Sequence, residues 1–135
     1  MTILVTDAGF GPDIANAAFV PLDRAEDGDT ALDIAPDIDP ERLPDIAARA
    51  TALRIGFPSF ADGRGFTLAR RLRLLGFAGH LRAQGHVLAD QYAMARRAGF
   101  DAVEIDTDLA ARQPEDQWRF RADWRSHDYQ SRLRG

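Results

Sequence analysis

Between Ala52 and Ile105, the same series of sequence features occurs twice: an apolar run, a polar loop, an amphipathic segment and a Gly-Phe pair. This repeat constrains the fold more than any other feature of the sequence. In the first copy, Leu68, Leu72 and Leu75 form a helical stripe. A glycine followed by an apolar residue is typical of a helix C-terminus. The pattern predicts strands at 52–57, 80–83 and 102–105, with helices at 66–75 and 88–98 between them.

Strands joined through helices by short connections favour βα units and a parallel sheet. The preceding residues give weaker signals, which predict strands at 1–5, 16–22 and 31–35, a turn at 7–13, and a helix from Asp39-Pro40-Glu41 to Ala50. We therefore expect an α/β fold of repeated βα units with a mainly parallel sheet, either open or half-barrel-like. Residues 107–112 have room for one helical turn.

The chain length fits one domain. We expect a single α/β domain over 1–112, followed by a tail at 113–135 that contains aromatic residues and arginine. The tail shows neither a helical stripe nor strand alternation. Its large aromatic side chains are Trp118, Phe120, Trp124 and Tyr129. Such side chains seldom stay in water, so we expect the tail to pack on its own domain or on a second subunit.

The chain contains no cysteine. This excludes a thiol nucleophile, a disulfide framework and a cysteine-ligated metal or iron–sulfur site. No dinucleotide fingerprint is present, and His86 lies four residues before Asp90, so the two could share a helical face or a metal. Because such a pair is more often a cap or a surface contact, we predict no metal and no cofactor. The N-terminus has no export signal and the chain has no membrane-spanning run, so we expect a cytoplasmic protein without a membrane partner.

Charge is unevenly distributed along the chain. Residues 1–50 hold three arginines and eleven acids, whereas residues 51–97 hold eight arginines and only Asp62 and Asp90 as acids. The net charge is −4, and nucleic-acid binders are usually basic overall. A local arginine-rich block in an acidic chain fits a small anion or an acidic partner, and not nucleic acid.

The turn at residues 62–65 is the best candidate for an anion site. Its two glycines can adopt positive φ, and its amides open a helix. Arg82 comes from the neighbouring strand, and Asp90 and Gln91 begin the next helix. The predicted ligand-binding residues are Asp62, Gly63, Arg64, Gly65, Arg82, Asp90 and Gln91. The alternative is that Asp62 pairs with an arginine and stiffens the turn. The spacing matches neither a Walker loop nor GxGxxG, and no catalytic residues can be assigned.

Three motifs in order resemble a known bacterial family. They are Phe57-Pro58-x-Phe60-x-Asp62-Gly63-Arg64-Gly65-Phe66, then Gly79-x-Leu81-Arg82-Ala83-x-Gly85-x-Val87-Leu88-x-Asp90-Gln91, then Gly99-Phe100-Asp101. The stretch from residue 52 to 105 resembles the domain of unknown function 934 family. Its members are small proteins often encoded beside assimilatory sulfite reductase, and some have been labelled oxidoreductases. His80 and His86 stand where the family usually has acids, so neither is a good catalytic candidate.

The resemblance implies a pathway and not a reaction. We expect an accessory protein of assimilatory sulfate and sulfite reduction that binds a small oxyanion or a partner. That partner would be sulfite reductase or another enzyme of sulfur assimilation. One alternative is an enzyme, labelled an oxidoreductase in the family, that acts on a small anionic substrate at Asp62, Arg64 and Arg82. Another is a homo-oligomeric scaffold. The sequence leaves open whether the chain is an enzyme.

Overall fold

The computed structural model describes residues 2–11 and 18–122 and has an α/β architecture built on a seven-stranded open sheet. The strands are β1 (Thr2–Thr6), β2 (Gly9–Gly11), β3 (Val20–Pro21), β4 (Ala31–Ile34), β5 (Ala52–Phe57), β6 (His80–Gly85) and β7 (Ala102–Asp106). Their order in the sheet is β2-β1-β7-β6-β5-β4-β3. The five strands from β3 to β7 are parallel, while β1 runs antiparallel to both β2 and β7.

In the described part of the chain, five α-helices accompany the sheet: α1 (Leu43–Arg49), α2 (Arg64–Leu74), α3 (Tyr92–Ala98), α4 (Thr107–Arg112) and α5 (Glu115–Arg121). Short 3-10 turns occur at Leu22–Arg24, Pro40–Arg42 and Ala89–Gln91. Asp39 caps the turn before α1 by accepting a hydrogen bond from the Glu41 amide. None of the helices among the described residues is long and apolar enough to cross a membrane.

The helices lie on one face of the sheet. The strand side chains that point to this face are buried against side chains of the helices. Leu53, Ile55 and Phe57 of β5 share a face with Leu81 and Ala83 of β6, as the register requires. These residues form one cluster with Leu68 and Leu72 of α2, Tyr92 and Ala95 of α3, and Trp118 of α5. The opposite face carries no helix within the described part of the chain.

The predicted βα repeat is confirmed. Strands β5, β6 and β7 lie side by side and parallel, with α2 and α3 between them in sequence. Both Gly-Phe pairs end a helix: Gly76 and Gly99 adopt φ of +95° and +120°, and the amides of Phe77 and Phe100 donate back into the preceding helix.

Two local predictions were wrong. Residues 7–13 were expected to form a turn, but Gly9–Gly11 form strand β2, which pairs with β1. The strand expected over 16–22 is limited to Val20–Pro21 among the described residues. The tail, which shows no helical stripe, contains α5, whose Trp118 is buried and donates its indole N–H to the Gln113 carbonyl. Phe120 is exposed, while Trp124 and Tyr129 lie outside the described residues.

Candidate functional site

A cleft lies where the parallel strands end. Two adjoining cavities of about 430 Å³ each occupy the carboxyl ends of β4, β5, β6 and β7. They share Ala35, Gly56 and Gln84 in their linings. Ligands of parallel α/β sheets bind at this edge, and ligand pockets commonly measure roughly 300–1,000 Å³. Position and size therefore make the cleft the leading candidate for a ligand site.

Gly56 forms the open floor of this cleft. A Cβ atom built on Gly56 meets no other atom within 4 Å, and the residue does not adopt positive φ. Neither backbone conformation nor close packing thus requires a glycine in this strand. Its partner across the β5–β6 ladder is Gln84, whose carboxamide makes no hydrogen bond with a described residue. The absence of a side chain at Gly56 leaves space in the cleft. The Gln84 carboxamide leaves hydrogen-bonding groups there that a ligand could use.

The polar groups differ between the two cavities. The cavity toward β3 is lined by Asp23, Asp37 and Arg42 among others. The cavity toward β7 contains Arg112 and His86 together with an apolar wall. That wall consists of Pro36, Phe57, Pro58, Phe60 and Leu109. The imidazole of His86 stands edge-on to the Phe60 ring, with 5.0 Å between centroids.

The acid in the β7-side cavity already has a structural role. The Asp106 carboxylate accepts a 2.7 Å hydrogen bond from the Leu109 amide and so caps α4. Arg112, at the other end of α4, makes no ion pair with any described residue. This cavity therefore presents hydrogen-bond donors beside apolar surface, which is a suitable environment for an anionic group.

A chain of ion pairs covers the centre of the helix-free face. Arg54 of β5 forms a two-pronged pair with Asp33 of β4, with N–O distances of 2.5 and 2.7 Å. It also donates to both carboxylate oxygens of Glu104 at 3.2 Å, and Glu104 in turn accepts from Arg82 at 2.9 Å. The hydrogen bonds with Asp33 raise the pKa of Arg54. The ring of Phe19 lies over both guanidinium groups, 4.7 Å from that of Arg54 and 5.1 Å from that of Arg82.

The structure places the predicted residues of the 62–65 turn in a local pair. Arg64 donates its backbone amide and its guanidinium to the Asp62 carboxylate, and these hydrogen bonds lower the pKa of Asp62. Neither glycine adopts the positive φ that glycine permits. Gly63 has φ of −89°, and Gly65 lies in α2, where a Cβ atom would come within 2.5 Å of the Phe57 ring. Gly65 thus permits close packing of α2 on β5.

The other predicted residues belong to separate contacts. Arg82 is fully buried in the ion-pair chain at the middle of β6, whereas Arg64 is on the surface and lines a different cavity with Arg71. Asp90 pairs with Arg121 at 3.0 Å. Gln91 fixes a loop, because its carboxamide accepts from the Leu88 amide and donates to the Phe60 carbonyl. The structure unites Asp62 with Arg64 but joins neither of them to Arg82. Anion binding by these residues stays a prediction.

Sequence reasoning did not identify the cleft residues Gly56, Gln84 and Arg112. A signal for Gln84 was present, because it follows Arg82 by two positions and alternation therefore puts both on the face opposite Leu81 and Ala83. Gly56 gave no signal, since a glycine in a strand is equally compatible with a bulge or a close approach. Arg112 reaches the cleft only through the turn of α4.

Comparison with known proteins identifies a family. The family model described as "Bacterial protein of unknown function (DUF934)" matches residues 31–135, which is more than half of the chain. The match confirms the resemblance found at residues 52–105 and extends it into the tail. No curated protein and no solved structure matches the chain.

Proposed function

Because the chain belongs to the domain of unknown function 934 family, we propose that it is an accessory protein of assimilatory sulfate and sulfite reduction that binds a small oxyanion. The pathway rests on the family resemblance. The binding site rests on the cleft, and above all on its open floor at Gly56, beside Gln84, which both cavities share. The proposal implies a cytoplasmic protein.

The β7-side cavity is the part of the cleft that suits an oxyanion. Arg112 offers a planar set of N–H donors, which matches the oxygens of sulfate, sulfite or phosphate. The carboxamide N–H groups of Gln84 add donors from the strand, and the apolar wall excludes water from one side. Arg54, Arg64 and Arg82 are held by carboxylates of the protein itself, so Arg112 is the better candidate to hold a ligand.

A thermal-shift series tests this site. Purified protein is melted with sulfate, sulfite or phosphate; a ligand at 100 times its dissociation constant stabilises by about 2.7 kcal/mol. We expect Gly56→Val to abolish the shift, because its side chain enters the cleft. The substitution should not weaken the fold, since β-branched residues favour strands and the space is empty. Arg112→Gln should weaken the shift.

Matched controls separate loss of binding from loss of structure. Gly11 is also a strand glycine whose added Cβ meets nothing within 4 Å, but it lies in β2 and does not line the cleft. Gly11→Val should leave the anion shift intact, as should Arg119→Gln on the exposed side of α5. An anion shift that survives in both Gly56→Val and Arg112→Gln would show that the oxyanion does not bind in this cleft.

Two further measurements address the pathway. Sedimentation of the purified protein mixed with purified sulfite reductase tests for a complex with that enzyme, and the protein alone gives its own oligomeric state. An absorption spectrum and an assay of reduced nicotinamide with sulfite test the enzymatic alternative. Bound flavin or turnover would favour the oxidoreductase label over the accessory role.

A further inference from the structure

The solvent-facing side of α2 combines positive charge with an exposed leucine. Thr67, Arg70, Arg71 and Leu74 are spaced at i, i+3, i+4 and i+7, so they lie on one face of the helix. All four are exposed, and Leu74 keeps 79% of its surface accessible. We call these four residues the α2 patch. The neighbouring Leu75 is 50% exposed, so two adjacent leucines lie in water beside these arginines, which points to an interaction surface.

The arginines of the patch differ from their neighbour in the same helix. Arg73 is fully engaged: it donates to the carbonyls of Phe77, Gly79 and Gly99 and to the Asp101 carboxylate. In contrast, Arg70 and Arg71 make no hydrogen bond or ion pair with a described residue. The α2 segment contains no acid that could neutralise them. The two guanidinium groups are therefore available to an external partner.

A groove next to the patch provides a place for side chains of that partner. It has a volume of about 390 Å³ and lies between α2 and the loop that follows β4. Arg64, Thr67 and Arg71 form its α2 side, and the other side consists of Pro36, Ile38 and Pro40 together with one acid, Asp37. On the far side of the patch, α3 presents exposed Met94 and Arg97. Charged and apolar contacts thus extend across the surfaces of two neighbouring helices.

We propose that the α2 patch and its groove dock an acidic segment of another protein that also carries apolar side chains. Charge complementarity is the main argument, because Arg70 and Arg71 make no ion pair with a described residue and α2 itself carries no acid. Arginine is enriched in protein interfaces, and Leu74 supplies an apolar contact that a free inorganic anion does not need. This surface is separate from the carboxyl-end cleft, and the inference does not depend on the proposed oxyanion.

Two other occupants fit less well. Nucleic acid carries phosphate along its length, and the acidic residues 1–50, with eleven acids against three arginines, would repel it. A second copy could offer those acidic residues to the α2 patch. That contact would join two different surfaces, however, and such head-to-tail contacts build open chains unless the rotation closes a ring. A different protein with an acidic segment satisfies the patch without this consequence.

Peptide binding to the full chain tests the proposal. The probe is a fluorescent synthetic peptide of alternating glutamate and leucine, compared with glutamate–serine and lysine–leucine peptides and with a single-stranded oligonucleotide. The variants are Leu74→Ser and the double substitution Arg70→Gln/Arg71→Gln. The matched controls, Phe120→Ser and Arg119→Gln, remove an exposed apolar group and an exposed arginine from α5. Melting temperatures confirm that each variant is folded.

We expect the glutamate–leucine peptide to bind best. Leu74→Ser should weaken it about fivefold or more. The double arginine variant should weaken it about tenfold at low salt, and this difference should shrink as salt is added. The α5 controls should bind as wild type does. The Gly56→Val variant should also keep peptide binding, so failure of the cleft and failure of the patch give different results.

Several outcomes would overturn the proposal. One is equal peptide affinity in wild type and the α2 variants, or no peptide binding at all. Another is stronger binding of the glutamate–serine peptide or of the oligonucleotide, which would assign the surface to charge alone or to nucleic acid. Self-association of the wild type that is lost in Leu74→Ser would assign the patch to a second copy of the chain.

Discussion

Replacement of Glu104 by glutamine tests the ion-pair chain on the helix-free face. The Glu104 side chain is 5% exposed and that of Arg82 is 0% exposed, with 2.9 Å between the paired atoms. Arg54 lies beside Arg82 in the sheet register and shares the same carboxylate. Glu104→Gln keeps the shape but removes the negative charge between two guanidinium groups. Breaking a buried pair by removing one partner costs about 3–5 kcal/mol.

The lower end of that range is the better expectation here. Arg54 keeps its two-pronged pair with Asp33 and is partly exposed to water. The glutamine oxygen can still accept one hydrogen bond. A loss of about 3 kcal/mol is a large share of a typical stability of about 5–15 kcal/mol. With a urea slope of about 2 kcal/mol/M, it lowers the unfolding midpoint by about 1.5 M.

Urea unfolding followed by circular dichroism measures this change. Asp90→Asn is the matched control, because it also converts a carboxylate beside an arginine, Arg121 at 3.0 Å, into an amide. Asp90 is 81% exposed, so its loss should cost less than about 1 kcal/mol. A midpoint for Glu104→Gln close to that of the control would refute the reasoning.

A double-mutant cycle separates the pair from its desolvation cost. Arg82→Met alone should cost less than Glu104→Leu alone, because Glu104 keeps Arg54 as a partner. The combined variant should be more stable than the sum of the two losses implies, since apolar replacements of a buried pair often restore stability. Strict additivity would indicate that Arg82 and Glu104 do not interact.

Three further outcomes follow from packing and from pKa. Gly65→Ala should destabilise the fold by about 1–3 kcal/mol, because its Cβ meets the Phe57 ring, whereas Gly63→Ala should cost under about 1 kcal/mol. Trp118→Ala should cost about 3–5 kcal/mol. Burial raises the pKa of Tyr92, so the folded state retains a proton that the unfolded chain releases above about pH 10. Stability should therefore fall with rising pH there, by at most about 1.4 kcal/mol per pH unit from this group, and Tyr92→Phe should remove that slope.

The urea concentration at the midpoint of unfolding measures the stability change in all three predictions. Equal midpoints for the two alanine variants would contradict the close packing of α2 on β5. A wild-type-like midpoint for Trp118→Ala would show that α5 does not belong to the core. For Tyr92, midpoints at pH 9 and pH 11 are compared; a slope in Tyr92→Phe equal to that of wild type would assign the alkaline loss to other groups.

The βα repeat was predictable because its signals are local. Periodic leucines, short loops and the Gly-Phe helix ends need no knowledge of distant residues. Strand β2 is different, since Gly9–Gly11 have little intrinsic preference for a strand. It forms through pairing with β1 and through Glu115 of α5, which accepts a hydrogen bond from the Phe10 amide at 2.8 Å. Helix α5 gave no stripe because Trp118 is its one buried residue.

The candidate site was harder to predict than the fold, for a reason that concerns charge. An excess of arginine in residues 51–97 indicates a positive segment, but it does not say which arginines are free. Their partners come from other segments: Arg54 pairs with Asp33 from the acidic first part of the chain, and Arg82 pairs with Glu104 from β7. Arg64 pairs within its own turn. Local charge counting therefore pointed to residues that the fold already uses.

The same pairing shows where function is best sought. Helices cover one face of the sheet, so charged side chains that alternate along β4 to β7 meet on the other face. There, Asp33, Arg54, Glu104 and Arg82 sum to zero charge. A neutral, mutually satisfied set holds the strands beneath the cleft and attracts no ligand by its net charge. Several arginines have no ion-pair partner among the described residues, and they include Arg112 in the cleft and Arg70 and Arg71 on α2. Each of the two proposed surfaces therefore contains arginine charge that the fold leaves unneutralised.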